Sequence, residues 1–256
     1  MKDVYSRAIC CIAATAAKDA DIGLFFDRDP LAPIRVLTSS TQIIGRKTNE
    51  PLLSYIIGSP IVASTSAIDH APLNQRAWVA QERYLSSGTI HFTQEQLFWE
   101  CDESITSEQD PDGCLIEQAY AWNVASAVHI LKSKIYDYQS QLTITSGGSV
   151  SVNLREVLSR IHKDWCCFRK EYSGLSLTKE EDIFVALHGI AQTVAEVTKD
   201  TLVAGLWRGR MIEDLCWRRD AHFGDPDDAP PKPSIWRAPT WSWASINRSI
   251  WSHRLW

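Results

Sequence analysis

Four residues of types that support catalysis lie close together in one helical run, Arg76, Trp78, Gln81 and Glu82. On a helix of 3.6 residues per turn, Trp78 and Glu82 share one stripe and Gln81 flanks it, whereas Arg76 lies roughly 120° from Glu82. A carboxylate held beside an indole loses hydration, which raises its pKa toward values useful to an acid, a base or a transition-state stabiliser. The structural alternative makes Arg76 and Glu82 partners of other segments and Trp78 a core residue. These residues alone favour that alternative.

Other catalytic and metal-binding patterns are absent or incomplete. The sequence has no G-x-S-x-G elbow, no G-x-x-x-x-G-K-[ST] loop and no H-E-x-x-H pair, and residues 205–210 hold too few glycines to cradle a phosphate. The seven cysteines are odd in number and lack C-x-x-C spacing, which favours free thiols in a reducing compartment. His162, Cys166 and Cys167 can be drawn as a ligand cluster, but their spacing is more typical of a helical packing face. We therefore predict no metal site.

The helix that would position Glu82 is predicted over residues 73–85, with a stop at the Ser-Ser-Gly sequence that follows. Two alternating segments come next, residues 89–93 and 95–101. Apolar side chains share one face of each segment, Ile90 and Phe92 in the first and Leu97, Trp99 and Cys101 in the second. The pattern predicts a β-hairpin directly after the helix.

The amino-terminal stretch allows two interpretations. Residues 3–17 carry apolar side chains at helical spacing, which predicts an amphipathic helix. Alternatively, Lys2 and Arg7 precede an alanine-rich apolar run, the outline of a secretory signal. Asp3 within the basic part and the lack of leucine favour the helix, and with it a cytoplasmic protein. No other segment has the roughly 18 apolar residues of a membrane span, so none is predicted.

The remainder of the chain divides into five stretches. Short extended pieces are predicted at 34–37 and 56–57, and residues 102–113 form an acidic, turn-rich linker. Helical spacing dominates residues 115–220, where it predicts three buried stripes. They consist of Val124, Val128, Leu131, Ile135 and Tyr138, of Leu154, Val157, Leu158, Ile161, Trp165, Phe168 and Tyr172, and of Ile183, Leu187, Ile190, Val194 and Val197. A capping box, Thr178 with Glu181, should begin the last of these helices. Residues 221–234 are a Pro/Asp-rich loop, and in 235–256 Trp241 and Trp243 alternate as in a strand.

Composition limits the classes of partner. The 256 residues carry a net charge of −5, so nothing attracts nucleic acid or an anionic membrane electrostatically. Eleven tryptophans require an aromatic interior with partners for indole N–H groups.

The R-x-W-x-x-Q-E pattern of Arg76, Trp78, Gln81 and Glu82 resembles a block of the fungal heterokaryon-incompatibility (HET) domain, and the hairpin IHFTQEQLFWEC follows it as in that family. Upstream, VYSRAICCIAATAAKDADIGLFFDRDP resembles another block of the domain. Downstream, YSGLSLTKEEDIFVALHGIA, GLWRGRMIEDLCW and RAPTWSWASI resemble segments that follow the domain in large members. The resemblance extends over nearly the whole chain in the same order.

The resemblance implies self/non-self recognition between fungal cells and a cell-death response. It also implies a fold like that of the Toll/interleukin-1 receptor domain. We accordingly predict an α+β or α/β remnant over 1–110, a mainly helical region over 115–220 and a Trp-rich extended tail. Some proteins with that receptor-like fold cleave NAD, so the resemblance implies Glu82 as the residue for such chemistry, with NAD as substrate and no bound cofactor.

The segments with which the family domain begins, P-Y-x-x-L-S-Y-x-W-G and W-I-D-x-L-C-I-x-Q, do not occur in this sequence. The first part of the domain is therefore lacking, and with it the central parallel strands and the pocket that the resemblance implies. We predict a protein that acts mainly by association, with other proteins or with itself, rather than as an enzyme. Two alternatives stay open, an NAD-cleaving nucleosidase that uses Glu82 and an inactive truncated paralogue.

Overall fold

The computed structural model describes residues 2–28, 36–37, 56–57, 67–115, 126–146, 153–220 and 232–252. It is a mixed α/β structure with small sheets, which confirms the coarse fold class. Most of the loop predicted at 221–234 lies outside the described residues.

The amino-terminal half contains a helix–hairpin unit and short strands. Its elements are α1 (Lys2–Ser6), β1 (Cys11–Ala13), β2 (Val36–Leu37), β3 (Ile56–Ile57), a 3-10 helix (Pro72–Gln75), α2 (Ala77–Leu85), β4 (Gly88–Phe92), β5 (Leu97–Cys101), β6 (Ser104–Ser107) and β7 (Cys114–Leu115). The predicted helix 73–85 is thus a 3-10 turn followed by α2, and the predicted hairpin is β4–β5. The strands β2 and β3 pair antiparallel where extended pieces were predicted.

Five strands form one sheet in the order β1-β4-β5-β6-β7. The strand β1 runs parallel to β4, with Cys11 opposite Thr89 and Ala13 opposite His91, and the remaining pairs are antiparallel. The predicted helix over 3–17 is wrong, because α1 ends at Ser6 and the following residues join this sheet. Apolar spacing is a local signal, and the pairing of β1 with a distant strand overrides it.

The sheet turns its polar face toward the helices. Thr89, His91, Phe98 and Glu100 lie on the inner face and are all buried. The opposite face, here called the apolar sheet face, consists of Ile12, Ile90, Phe92, Leu97 and Trp99. Ile12 is 63% exposed and the other four are half-buried. An antiparallel sheet with one covered face normally places its apolar set inward, so this arrangement is reversed.

The segment predicted as an acidic linker contains part of the same sheet. Within 102–113, β6 pairs with β5, and Glu100 lies opposite Ile105, which is buried. Gly113 adopts a φ of 63° and a Cβ there would meet the backbone of Ile105, so the turn into β7 requires glycine. The acidic, turn-rich composition of residues 102–113 therefore did not predict the short strand β6.

The carboxy-terminal half is built from helices around an aromatic core. The elements are α3 (Ala127–Ser146), α4 (Leu154–Ser173), a 3-10 helix (Glu180–Ile183), α5 (His188–Thr198), β8 (Leu202–Val203), β9 (Leu206–Trp207), a 3-10 helix (Arg208–Arg210), α6 (Met211–Asp214), β10 (Trp217–Arg219), a 3-10 helix (Trp243–Ser245) and β11 (Ile250–Ser252). Most members of the predicted stripes on α3, α4 and α5 are buried. Leu154 is instead 54% exposed, Leu158 and Val197 are partly buried, and Val124 lies outside the described residues. The helix α2 belongs to the same core through Ala77, Ala80 and Tyr84.

Two local predictions in this half are wrong. The predicted capping box makes no cap, because the 3-10 helix there starts without a side-chain cap bond and α5 begins only at His188. Trp241 and Trp243 do not share a face, since Trp243 is buried in a 3-10 helix and Trp241 is 43% exposed. The indole N–H of Trp243 donates to the carbonyl oxygen of Gly205 at 2.9 Å, which fixes this turn against the hairpin β8–β9.

Among the described helices, none combines the length and the apolar composition needed to cross a bilayer.

Candidate functional site

Two residues of the R-x-W-x-x-Q-E motif attach α2 to the helical half. The side-chain oxygen of Gln81 is buried and accepts the backbone N–H of Gly189 at 2.7 Å, at the start of α5. A Cβ at position 189 would approach Gln81 Oε1 to 2.9 Å, so glycine permits this contact. The indole N–H of Trp78 donates to Asp182 at 3.3 Å. The first turn of a helix leaves backbone N–H groups unsatisfied, and Gln81 supplies an acceptor for one of them.

Arg76 is exposed and lies where the 3-10 helix passes into α2. The backbone on either side of it bonds to Ser176, with Ala77 N donating to Ser176 O at 2.9 Å and Ser176 N donating to Gln75 O at 2.8 Å. The four motif residues therefore do not meet in one pocket. Trp78 and Gln81 contact the helical half, Arg76 is exposed, and Glu82 faces α1.

Glu82 is half-buried against the hydroxyl of Tyr5 on α1. Burial raises the pKa of Glu82, while the hydrogen bond from Tyr5 and the charge of Arg76 oppose the rise. Burial and the nearby Glu82 raise the pKa of Tyr5 to about 12. A carboxyl group and a phenol in contact can exchange a proton with a bound molecule. Two cavities of about 330 and 300 Å³ lie among the described residues, and Glu82 lines neither of these two.

The inner face of the sheet carries a buried polar network that the sequence did not predict, centred on Glu100. Its carboxylate accepts the Nε of Arg83 at 2.8 Å and Nε2 of His91 at 2.7 Å, and His129 Nδ1 lies 2.8 Å away. The network extends from Arg83 to Asp69 at 2.6 Å and from His91 to Thr15 at 2.9 Å. Burial would raise the pKa of Glu100, but Arg83, His129 and the hydrogen bond from His91 hold that pKa well below its usual range.

Thr15, His91 and Glu100 form a hydroxyl–imidazole–carboxylate series of the kind found in a hydrolytic triad. Thr15 is fully buried and His91 is 1% exposed, so a substrate cannot reach the hydroxyl. The network joins β1, β4, β5, α2 and α3, and its role is to hold them together. Nothing in the local sequence indicates it, because its members lie on separate elements.

A second polar cluster lies between α4 and α6. His162 and Cys166 are one helical turn apart on α4, and Asp214 ends α6. His162 Nε2 lies 3.0 Å from Asp214 Oδ1, and Arg169 donates to the same oxygen at 2.8 Å. The Sγ of Cys166 lies 3.8 Å from His162 Nε2 and 4.0 Å from Asp214 Oδ1.

Electrostatics in this cluster favour a charged imidazole and a charged carboxylate. Burial would lower the pKa of His162, but its hydrogen bond to Asp214 and the nearby thiol raise that pKa to about 9. Burial would raise the pKa of Asp214, but His162, Arg169 and the Trp207 N–H together lower it. The imidazole also lines the 330 Å³ cavity, together with Lys199, Asp200, Trp207 and Arg210. The spacing of His162 and Cys166 was visible in the sequence, whereas Asp214, 48 residues further along, was not.

The apolar sheet face is a candidate contact surface. Ile12 and Ile90 are neighbours on β1 and β4, and Phe92 makes an edge contact with Phe25 at 5.7 Å between ring centroids. Phe25 is itself 83% exposed, and next to β1 Ile9 is 95% exposed. Contiguous exposed apolar side chains of this kind are typical of interaction sites.

We compared the chain with protein-family models, with curated proteins and with solved structures, and none of the three comparisons gave a match.

Proposed function

We propose that the chain is an incompatibility-type protein, of the self/non-self recognition and cell-death class that its motifs resemble, and that two copies associate through the apolar sheet face. A likeness of the sheet to the Toll/interleukin-1 receptor fold is part of this proposal. The observation that carries the association is the reversed sheet, with Glu100 and His91 on the buried face and the exposed Ile12 on the opposite face.

The chemistry of this face favours a second copy as its occupant. None of the five side chains that define it is charged, so a charged partner surface would lose hydration without compensation. The same face on a second copy is apolar and can pack against it about a twofold axis, as two sheets pack in a sandwich. The edge strand β1 adds to the argument, because the uncharged residues 8–17 lack the lysine or proline with which edges are usually protected.

Sedimentation of the purified chain tests the association. We expect a dimer at micromolar concentration, and at least a roughly tenfold weaker dimer for Ile12→Lys, since a lysine there would be buried in the contact. Val185→Lys is the matched control, because Val185 is 55% exposed in the helical half and lies away from the face. A monomeric wild-type chain, or equal dimerisation of Ile12→Lys, would reject the surface.

Expression in a fungal host tests the biological class separately. Overproduction of the wild-type chain should cause a growth defect or cell death, and Ile12→Lys should weaken that effect while Val185→Lys should not. Normal growth with a dimeric wild-type chain would refute the incompatibility class and leave the association intact.

A second candidate function is NAD cleavage at Glu82. It is favoured by one observation, the burial that raises the pKa of Glu82 beside the Tyr5 hydroxyl. If it is correct, purified protein releases nicotinamide from NAD, Glu82→Gln abolishes the release, and Glu103→Gln, a change at an exposed glutamate, preserves it. Lack of nicotinamide release, or release that survives Glu82→Gln, eliminates this candidate.

A further inference from the structure

The cluster of His162, Cys166 and Asp214 combines three donor types that metals use in proteins, and its ligand atoms all lie within 4.8 Å of one another. We propose that these three side chains bind one divalent transition-metal ion, with Zn²⁺ the ion that suits a mixed nitrogen, sulfur and oxygen set. This reverses the expectation from sequence, which treated His162 and Cys166 as a packing face.

The distances between the donor atoms are close to those of a small tetrahedral site. Bonds of about 2.0–2.3 Å to a central ion place tetrahedral ligand atoms roughly 3.3–3.6 Å apart. Here the three separations are 3.0 Å for His162 to Asp214, 3.8 Å for Cys166 to His162 and 4.0 Å for Cys166 to Asp214. Each separation differs from the tetrahedral range by a few tenths of an ångström, so ion binding requires small shifts of the ligand side chains.

The carboxylate of Asp214 is held in place by groups that leave a lone pair for the ion. Its Oδ2 accepts the backbone N–H of Trp207 at 2.7 Å, and Oδ1 accepts both Arg169 and His162. A carboxylate oxygen has two acceptor sites, so an ion that takes the site of His162 leaves the bond from Arg169 unchanged. Arg169 then orients the ligand from outside, as partners around metal sites commonly do.

Metal binding would release protons from the cluster, because a coordinating cysteine is a thiolate and a coordinating histidine is neutral. The second ring nitrogen of His162 lies 3.7 Å from the carboxylate of Glu213.

Of the three proposed ligands, His162 also lines the 330 Å³ cavity. Three protein ligands with a fourth position available to water are the arrangement of zinc sites that bind small molecules. We expect water to complete the coordination sphere.

Cobalt substitution of the chelator-treated full chain tests the site. Co²⁺ should bind with one equivalent per chain and give a thiolate-to-cobalt absorption band together with visible bands of tetrahedral intensity. Zn²⁺ should displace it. Cys166→Ser should abolish the thiolate band and weaken binding at least roughly tenfold, since a coordinating thiolate is lost.

Cys167→Ser is the matched control, because Cys167 neighbours Cys166 on α4 but does not belong to the cluster. It should keep the thiolate band and the stoichiometry. Asp214→Asn tests the third ligand independently, with circular dichroism to verify the fold. If the wild-type chain gives no thiolate band, or if Cys166→Ser gives the same band as Cys167→Ser, the site is rejected.

Discussion

The two halves of the molecule place a glutamate in different surroundings. In the sheet, the buried Glu100 has Arg83, His91 and His129 as partners, and its pKa is held well below the usual range. In the helical half, Glu171 is an exposed residue whose carboxylate accepts the backbone N–H of Ala127 at 2.9 Å, and desolvation of that carboxylate raises its pKa to about 7. The glutamate of the sheet is held by buried charged partners, whereas that of the helical half has a backbone N–H as its hydrogen-bond partner.

The largest effect should come from the aromatic core. Trp165 is fully buried between Phe168 and Trp207, so Trp165→Ala should lower the free energy of unfolding by about 3–5 kcal/mol in denaturant titrations. Trp236→Ala, at a position 80% exposed, is the control and should change it by less than about 0.5 kcal/mol. A cooperative wild-type transition would also exclude a chain that cannot complete a fold.

Removing the central charge of the sheet should have the next largest effect. Glu100→Gln leaves Arg83 partly uncompensated in a buried site and should lower stability by about 3 kcal/mol at pH 7. Glu108→Gln is the control, because Glu108 forms an exposed ion pair with Arg28 at 2.8 Å.

Glu100 also predicts that the free energy of unfolding decreases at acidic pH. Unfolded chains protonate this carboxyl near pH 4.5 and the folded chain does so only at lower pH, so its contribution is present above pH 4.5 and lost as pH falls through the folded pKa. Glu100→Gln should flatten that part of the stability curve. An unchanged curve would mean that Glu100 is not the group responsible.

Glu171→Gln should stabilise the protein, whereas Glu100→Gln should destabilise it. An unfolded glutamate ionises near pH 4.5 and Glu171 near pH 7, so its charge destabilises the fold increasingly between these values. Because Glu171 is an exposed residue, solvent screens this effect, and we expect the variant to gain about 1 kcal/mol at pH 8 and nothing at pH 4. Glu156→Gln, at an exposed position on α4, should show no such pH-dependent gain.

The smallest effect tests the connection between the halves. Gln81→Ala leaves the buried Gly189 N–H without its acceptor and should lower stability by about 1–2 kcal/mol. Gln192→Ala on the surface of α5, where the side chain bonds to Glu196 at 3.0 Å, should be nearly neutral. Equal effects would show that Gln81 does not attach α2 to α5.

Local periodicity predicted the elements that depend on local interactions. The stripes on α3 and α4, the hairpin β4–β5 and the short α2 all follow from side-chain spacing. It failed at β1, because Cys11–Ala13 becomes a strand only through a partner far along the chain. It failed also at 102–113, because these residues have the composition of a loop but include the strand β6, which pairs with β5.

The sites were less predictable than the elements for the same reason. Glu82 was identified as chemically unusual, and its raised pKa agrees with that expectation, but its contact with Tyr5 joins elements with no local relation. Glu100 lay in a segment whose alternating apolar residues suggested an apolar interior. Which face of a sheet turns inward depends on the helices that cover it. Here Arg83 on α2 and His129 on α3 contact Glu100, so the polar face is the one that is covered.

The parallel pairing of β1 has a consequence for the order of folding. The strands β4 to β7 form a meander of neighbours, whereas the bond between Thr15 and His91 spans 76 residues. Closing so long a loop is entropically unfavourable and slow, so β1 should join after the meander and the helices have formed. In an intermediate that lacks this pairing, the free edge of β4 could pair with β1 of another molecule as readily as with its own β1. Concentrated refolding should therefore yield strand-exchanged oligomers that dilute refolding avoids.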